Sequence, residues 1–490
     1  MTLIPSNVQA KIIEAINVWK VPAFVLVAIR DGSENDKPEK VVLYYGKDKT
    51  GQPIHDQTRF PLSSNTKLFI NMALGHALRA KGLGWDTPVK EILPDFKGYN
   101  DEYTNTWTPK LLASHTSGLP RYDQVIRPEL KIDGLYEAFK VLPPVAKPGE
   151  QYQYCNLTYT ILAKLIEKLS GKSFYEYLKE VIFEPLKMDS TSFDTGNIGI
   201  SGYMTYPDDK GERQVKEVPY YLDNCTAWDP ALGLFTTATD LLKWVEALPS
   251  FPDYPLACSS IATEHVEAND YPNPKEICSY GLGLTQVDRE GLILHEHTGD
   301  SSGFNSMVVD CPELRIKYGM MCNGIPYVGG CGFRDWLRNT LLDHWKGDDS
   351  IDWFRTILDK EKEIAHKPSP SVPAWGNQKI IGRYVCPGFL TWDIKETDNL
   401  PERPECPPDV VWDNKLYGNQ KPVFASMGEN KLEGCFEVRH WNDGKIEYDT
   451  PFQVELMEDG EKLKVTGITG VGLGLKEADH PMTFVREHAA

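Results

Sequence analysis

The chain has 490 residues, of which 41% are hydrophobic and 25% charged, and its formal net charge is −18. These are ordinary globular proportions, which exclude disorder along the whole length, and a chain this long is expected to form two or three domains. Acidic residues outnumber basic ones 70 to 52, so the phosphate-neutralising surface of a nucleic-acid or anionic-membrane partner is not expected.

The opening residues, MTLIPSNVQAKIIEAINVWK, place Val8, Ile12, Ile13, Ile16 and Trp19 at helical spacing. They show no basic start, long apolar run or cleavage site, so no secretory signal is read and a cytoplasmic location is expected. No stretch approaches the roughly 18 apolar residues of a spanning helix. Residues 21–29 and 41–45 read as strands joined by a polar stretch, a candidate hairpin. A helix follows over SSNTKLFINMALGHALRAKG, with Leu68, Met72, Ala73 and Leu78 inside and Gly82 at its end. Between 83 and 290 short helices alternate with loops. The clearest are 157–169, ended by Gly171, then 174–183, ended before Pro185, and one starting near Thr239.

Strands return at 292–295, 306–310 and 316–322, followed by helices near 334–345 and 351–364. Strands at both ends of this region suggest one sheet flanked by helices, with a helical insertion. Residues 367–379 form a linker, Pro- and Ser-rich at its start. From 380 to 490, alternating segments such as FEVRHW, KIEYDT and KLKVTGI predict an antiparallel β domain, a small barrel. The ten cysteines include no Cys-x-x-Cys pair, so free thiols are expected ahead of disulfides or zinc.

Three short motifs carry chemistry. Ser64-Asn65-Thr66-Lys67 puts a hydroxyl and an amine three residues apart, on one face of a helix. A serine hydroxyl needs a base, and lysine becomes one when burial and neighbouring cations lower its pKa. Tyr154-Cys155-Asn156 lies at a loop-to-helix junction. The phenol can shuttle a proton, and the amide can donate to a carbonyl or accept from the lysine. His297-Thr298-Gly299 follows a strand; its glycine would let a substrate lie close to the backbone. The N–H of Asp300 could then join that of Ser64 in an oxyanion hole. Taken singly, these are also what a helix cap, a packed tyrosine and a strand-end turn look like. His295 and His297 alternate onto one strand face, but no third ligand at metal spacing is evident, so neither a metal nor another cofactor is expected.

Their order is more telling. With LLASHTSGLP at 111–120, Pro148-Gly149-Glu150, LFTTATDL at 234–241 and YGLG at 280–283, the chain resembles the serine β-lactamases of class C. It is similar also to the D,D-peptidases, family VIII-type esterases and acyltransferases related to them. The resemblance covers roughly residues 8–345. It implies an α/β (α+β) fold: an antiparallel sheet flanked by helices, with a helical subdomain, over residues 1–366. A C-terminal lipocalin-like barrel over 380–490 is a weaker likeness, resting on Ile381-Gly382-Arg383-Tyr384.

The resemblance implies Ser64 as nucleophile, with Lys67 and Tyr154 handling protons. Asn156, His297, Gly299 and Asp300 would bind substrate and its oxyanion. Lysine is the usual first residue of the third triplet; His297, mostly neutral at pH 7, would hold a substrate carboxylate poorly. The expected substrate is therefore a small-molecule ester, thioester or amide. The alternatives are acyl transfer, true β-lactamase or D,D-peptidase activity, and a non-catalytic or filament-forming relative. Oligomeric state is left open.

Overall fold

The computed structural model describes residues 2–365 apart from 33–36, 124–130, 197–198, 208–211, 219, 221–225, 265–276, 290, 302, 327–331 and 349. Beyond these it describes the backbone of eight strands between 382 and 486. The linker expected at 367–379 lies outside the described residues.

Helix α1, Ser6–Trp19, buries Val8, Ile12, Ala15, Ile16 and Trp19 and ends on Lys20 in a left-handed conformation. Ile13, expected on that face, is exposed instead. Strands β1 (Ala23–Arg30) and β2 (Glu39–Gly46) form the expected hairpin. Helix α2 runs from Thr66 to Ala80, α3 from Thr158 to Ser170 and α4 from Ala238 to Ala247. Then come β3 (Ala262–Glu264), β4 (Ile277–Tyr280), β5 (Thr285–Arg289), β6 (Leu292–Ser301), β7 (Phe304–Cys311) and β8 (Ile316–Asn323). Helices α5 (Gly332–Lys346) and α6 (Trp353–Ala365) follow.

The sheet order is β2-β1-β8-β7-β6-β5-β4-β3, antiparallel throughout. The two strand groups do meet: β1 lies against β8, with Phe24 opposite Cys322. The uninterrupted apolar run of β1 has a simple cause, since both faces are covered. Val25, Val27 and Ile29 face one core with α2, α3 and α4. Phe24, Leu26 and Ala28 face a second core with α1, α5 and Trp353 and Ile357 of α6. The β-lactamase-like arrangement of an antiparallel sheet between helical layers is thus present.

The region read as helices and loops also contains strands. Gly202–Pro207 and Arg213–Val218 pair as a hairpin, and β3 to β5 extend the main sheet. Strand β6 is longer than expected and carries His297, Thr298 and Gly299 within it rather than after it. Pro185 does not stop its helix. A π-helical turn over Lys179–Phe183 is followed by helical Glu184–Leu186, with the proline at the start of that turn, where no N–H is required.

Among the described residues Cys155, Cys258, Cys278, Cys311 and Cys322 are free thiols. No described helix is long and apolar enough to cross a membrane. In the C-terminal region the eight strands pair antiparallel, each with the next, and the last also pairs with the first, Tyr384 opposite Arg486.

Candidate active site

Ser64 sits in a 3₁₀ turn, Ser63–Asn65, that leads directly into α2. The turn is held on several sides. Leu62 N–H donates to Leu234 C=O at 2.8 Å, and Thr66 Oγ1 accepts from Leu234 N–H at 3.1 Å. Ser306 Oγ donates to Leu62 C=O at 2.7 Å and accepts from Asn65 Nδ2 at 2.8 Å. Ser63 has φ 48°, a left-handed conformation that costs energy outside glycine, and its hydroxyl meets Ser301 Oγ at 2.5 Å.

Gly299 lies under this turn. A Cβ there would stand 2.3 Å from Leu62 O and 2.4 Å from Ser306 Oγ. The glycine therefore makes room for the turn that carries Ser64. Pairing between β6 and β5 reaches only Glu296, so the 297–301 stretch extends beyond that ladder beside Ser64.

Lys67 is fully buried in the first turn of α2. Its Nζ lies 3.2 Å from Ser64 Oγ, 2.7 Å from Asn156 Oδ1 and 3.0 Å from Ala231 O. Burial pushes its pKa well below the usual lysine range, and Arg121 pushes the same way. Tyr154 precedes α3, 5.0 Å from ring centroid to Lys67 Nζ, and is hydrogen-bonded to Ser64. Burial raises the Tyr154 pKa, outweighing Arg121 and that hydrogen bond. Burial thus disfavours the charged form of both side chains, the ammonium of Lys67 and the phenolate of Tyr154. The phenolate expected from proximity to an ammonium is not favoured here, because desolvation dominates.

The third motif is close but turned inward. His297 Nδ1 is 2.5 Å from Thr298 O, so that nitrogen carries the proton; Nε2, 3.0 Å from Tyr280 Oη, then accepts from the phenol. Burial, with Lys67 nearby, pushes its pKa down to about 3. Both ring nitrogens are spent on the protein. Asp300, next along the strand, accepts from Arg334 at 2.8 and 3.0 Å and from Asn305 Nδ2. Ser64, Lys67, Tyr154, Asn156, His297, Gly299 and Asp300 thus come from distant segments to one place.

Several residues here had not been singled out. His115 is fully buried and left-handed, with φ 59°. It takes both amides flanking Tyr154: its C=O accepts from Gln153 N–H at 2.7 Å, its Nδ1 from Cys155 N–H at 3.1 Å. Its ring lies on Tyr154 at a centroid distance of 4.2 Å. Burial keeps it neutral. Arg121 also lies over the Tyr154 ring, 5.1 Å from its centroid, and pairs with Asp123. His115 belongs to the LLASHTSGLP segment at 111–120, whereas Arg121 and Asp123 lie just beyond it with no local mark of a role. Among the described residues no group of three or more His, Cys, Asp or Glu is placed to hold a metal.

Comparisons fit this geometry. A D-amino acid amidase from Ochrobactrum anthropi shares the fold at TM-score 0.53 and 19% identity, over 69% of this chain and all of that one. An octameric penicillin-binding protein homologue from Pyrococcus abyssi superposes at TM-score 0.56 and 19% identity, covering 97% and 98% of the two chains. In sequence, protein flp of Staphylococcus aureus is 25% identical over 271 residues, 54% of this chain. The chain spans about half the length of such curated relatives, 53% for flp. Unguisins hydrolase ungD' of Aspergillus campestris is 24% identical over 417 residues, 78% of this chain and 76% of the relative. The model of the Beta-lactamase family matches residues 22–330, well over half of the sequence, and the chain belongs to that family.

Proposed function

We propose that the protein is a serine hydrolase that works through an acyl-enzyme on a small-molecule ester or amide. The observation that carries it is the fully buried Lys67, 3.2 Å from Ser64 Oγ, with desolvation holding its pKa well below the usual lysine range. In the acylation step Ser64 Oγ attacks the acyl carbonyl while its proton passes to Lys67 Nζ. The N–H groups of Ser64 and Asp300 would hold the oxyanion. Tyr154, a neutral phenol touching Ser64, hands its proton to the leaving group as the carbon–heteroatom bond breaks, and Lys67 reprotonates it. Water then attacks the ester by the reverse route. Asn156 holds Lys67 and borders the substrate.

The inward-turned His297 supports a substrate without a required carboxylate. Arg121 and Arg334, the other cations described around the site, are each paired with an aspartate. Relatives named as an amidase and a hydrolase support the same reaction class. Acyl transfer, possible with the same acyl-enzyme, differs only in the acceptor. Residues 1–366 would form the catalytic domain and 367–379 a linker. The closing pair between the first and last C-terminal strands supports a lipocalin-like barrel over 380–490.

The test is labelling with a fluorophosphonate, with the adduct located by mass spectrometry. An adduct on Ser64, lost in Ser64→Ala together with hydrolysis of a p-nitrophenyl ester, is expected. Wild-type turnover by Ser64→Ala would overturn the proposal.

A further inference from the structure

An amine can act as a base only along its lone pair, so once Lys67 has given up its third proton, what faces its two remaining N–H bonds decides whether the lone pair reaches Ser64. Three atoms surround Nζ: Ser64 Oγ, Asn156 Oδ1 and Ala231 O. The backbone carbonyl can only accept. The Asn156 amide is different, because its two ends are nearly the same size and it can present either oxygen or NH₂. With the oxygen inward, both N–H bonds of the amine are used and the lone pair is left for Ser64. With NH₂ inward, the amide would donate to the lone pair and silence the base.

Asn156 itself does not choose between these states; its outer neighbour does. Asn156 Nδ2 donates to Asp123 Oδ1 at 2.9 Å. A carboxylate accepts only, so it admits the NH₂ end and rejects the oxygen. Asp123 is secured in turn. Its second oxygen accepts from Arg121, and between them Tyr122 is buried and left-handed, φ 50°, with its hydroxyl donating to Pro143 O at 2.6 Å. That turn points Arg121 toward Tyr154 and Asp123 toward Asn156.

We infer that Asp123 is a positioning residue: through the Asn156 amide it aims the lone pair of Lys67 at Ser64. The inference rests on the proposed serine chemistry and adds a component to it.

The same carboxylate also acts on the charge of Lys67. Tyr154, Tyr159 and Cys155 around it are held neutral by raised pKa values, and His115 and His297 by lowered ones. Beneath the larger effect of burial, Arg121 lowers the pKa of Lys67, while Asp123 and, to a smaller extent, Cys155 raise it.

The experiment compares wild type, Asp123→Asn, Asn156→Ala and the double variant, each checked by thermal melting. Fluorophosphonate labelling and ester hydrolysis are followed against pH. Asp123→Asn, which can donate as well as accept, is expected to slow acylation roughly tenfold or more, through kcat rather than KM. Its acid limb should move to lower pH, because removing the anion makes Lys67 easier to deprotonate. In the Asn156→Ala background the same substitution should slow acylation no further. Asp123→Asn at the wild-type rate, or losses that multiply in the double variant, would overturn the inference. If wild type forms no Ser64 adduct, the hydrolase proposal falls by itself. The lysine titration, followed by NMR in lysine-labelled protein and assigned with Lys67→Arg, then decides alone. A shift to lower pH in Asp123→Asn that is greatly reduced without the Asn156 amide supports positioning, and no shift, or an equal one in both backgrounds, overturns it.

Discussion

In the proposed reaction Lys67 and Tyr154 divide the proton work, and burial shifts the pKa of each toward its uncharged form. Lys67→Ala and Tyr154→Phe are each expected to cut ester hydrolysis by roughly 10² or more, without multiplying in the double mutant, since both serve one transfer. Steady-state kinetics on the four proteins checks this; fully multiplicative losses would place them in separate steps. His297 permits a sharper comparison. His297→Lys puts a side chain that can carry positive charge at this position and removes the acceptor of Tyr280. The ratio of kcat/KM for a cephalosporin over a p-nitrophenyl ester should rise. An unchanged ratio would show that position 297 does not face a substrate carboxylate.

At the scale of elements, the site is a junction between the Ser63–Asn65 turn, strand β6 and the loop before α3. Gly299 is the tightest point. Gly299→Ala would drive a methyl into Leu62 C=O and Ser306 Oγ, at a cost of about 1–3 kcal/mol in stability. Urea denaturation and Ser64 labelling together should show lower stability and a slower reaction; unaltered values in both would mean that the turn stands farther off. The sequence made the reacting side chains visible because each motif is short and their order is distinctive. It did not reveal why Gly299 is glycine, since the atoms it accommodates come from residues 62 and 306. His115 and Asp123 were equally hidden, because their partners lie at 153, 155 and 156 and only folding brings them together. Pro185 misled for a local reason: a widened turn absorbed it.

For the whole molecule, two buried histidines and one half-buried one make a pH prediction. His115, His295 and His297 all have lowered pKa values, His297 to about 3. In the unfolded chain each would titrate near 6.5. Below that pH the unfolded state binds protons that the folded state refuses, so stability present above pH 6.5 is lost as pH falls toward about 3. Urea midpoints should decline between pH 7 and about 4, and His297→Gln should flatten part of that slope. A slope identical in both proteins would mean that His297 titrates normally in the fold. The broad layout, strands at both ends around helices, was legible from periodicity. That the ends join was not, because β1 and β8 carry no local mark of partnership.

That join has a consequence for how the protein is made. The hairpin that leads into Ser64 finds its neighbour only when residues 316–323 exist, and Gly299 and Ser306, which hold the nucleophile's turn, also come late. At ribosomal speeds of about 5–20 residues per second, Ser64 leaves the peptidyl-transferase centre tens of seconds before its surroundings do. A nascent chain already bearing serine and lysine therefore lacks the strands that hold the Ser64 turn, and the proposed reactivity would await the last central strand slotting in beside the first.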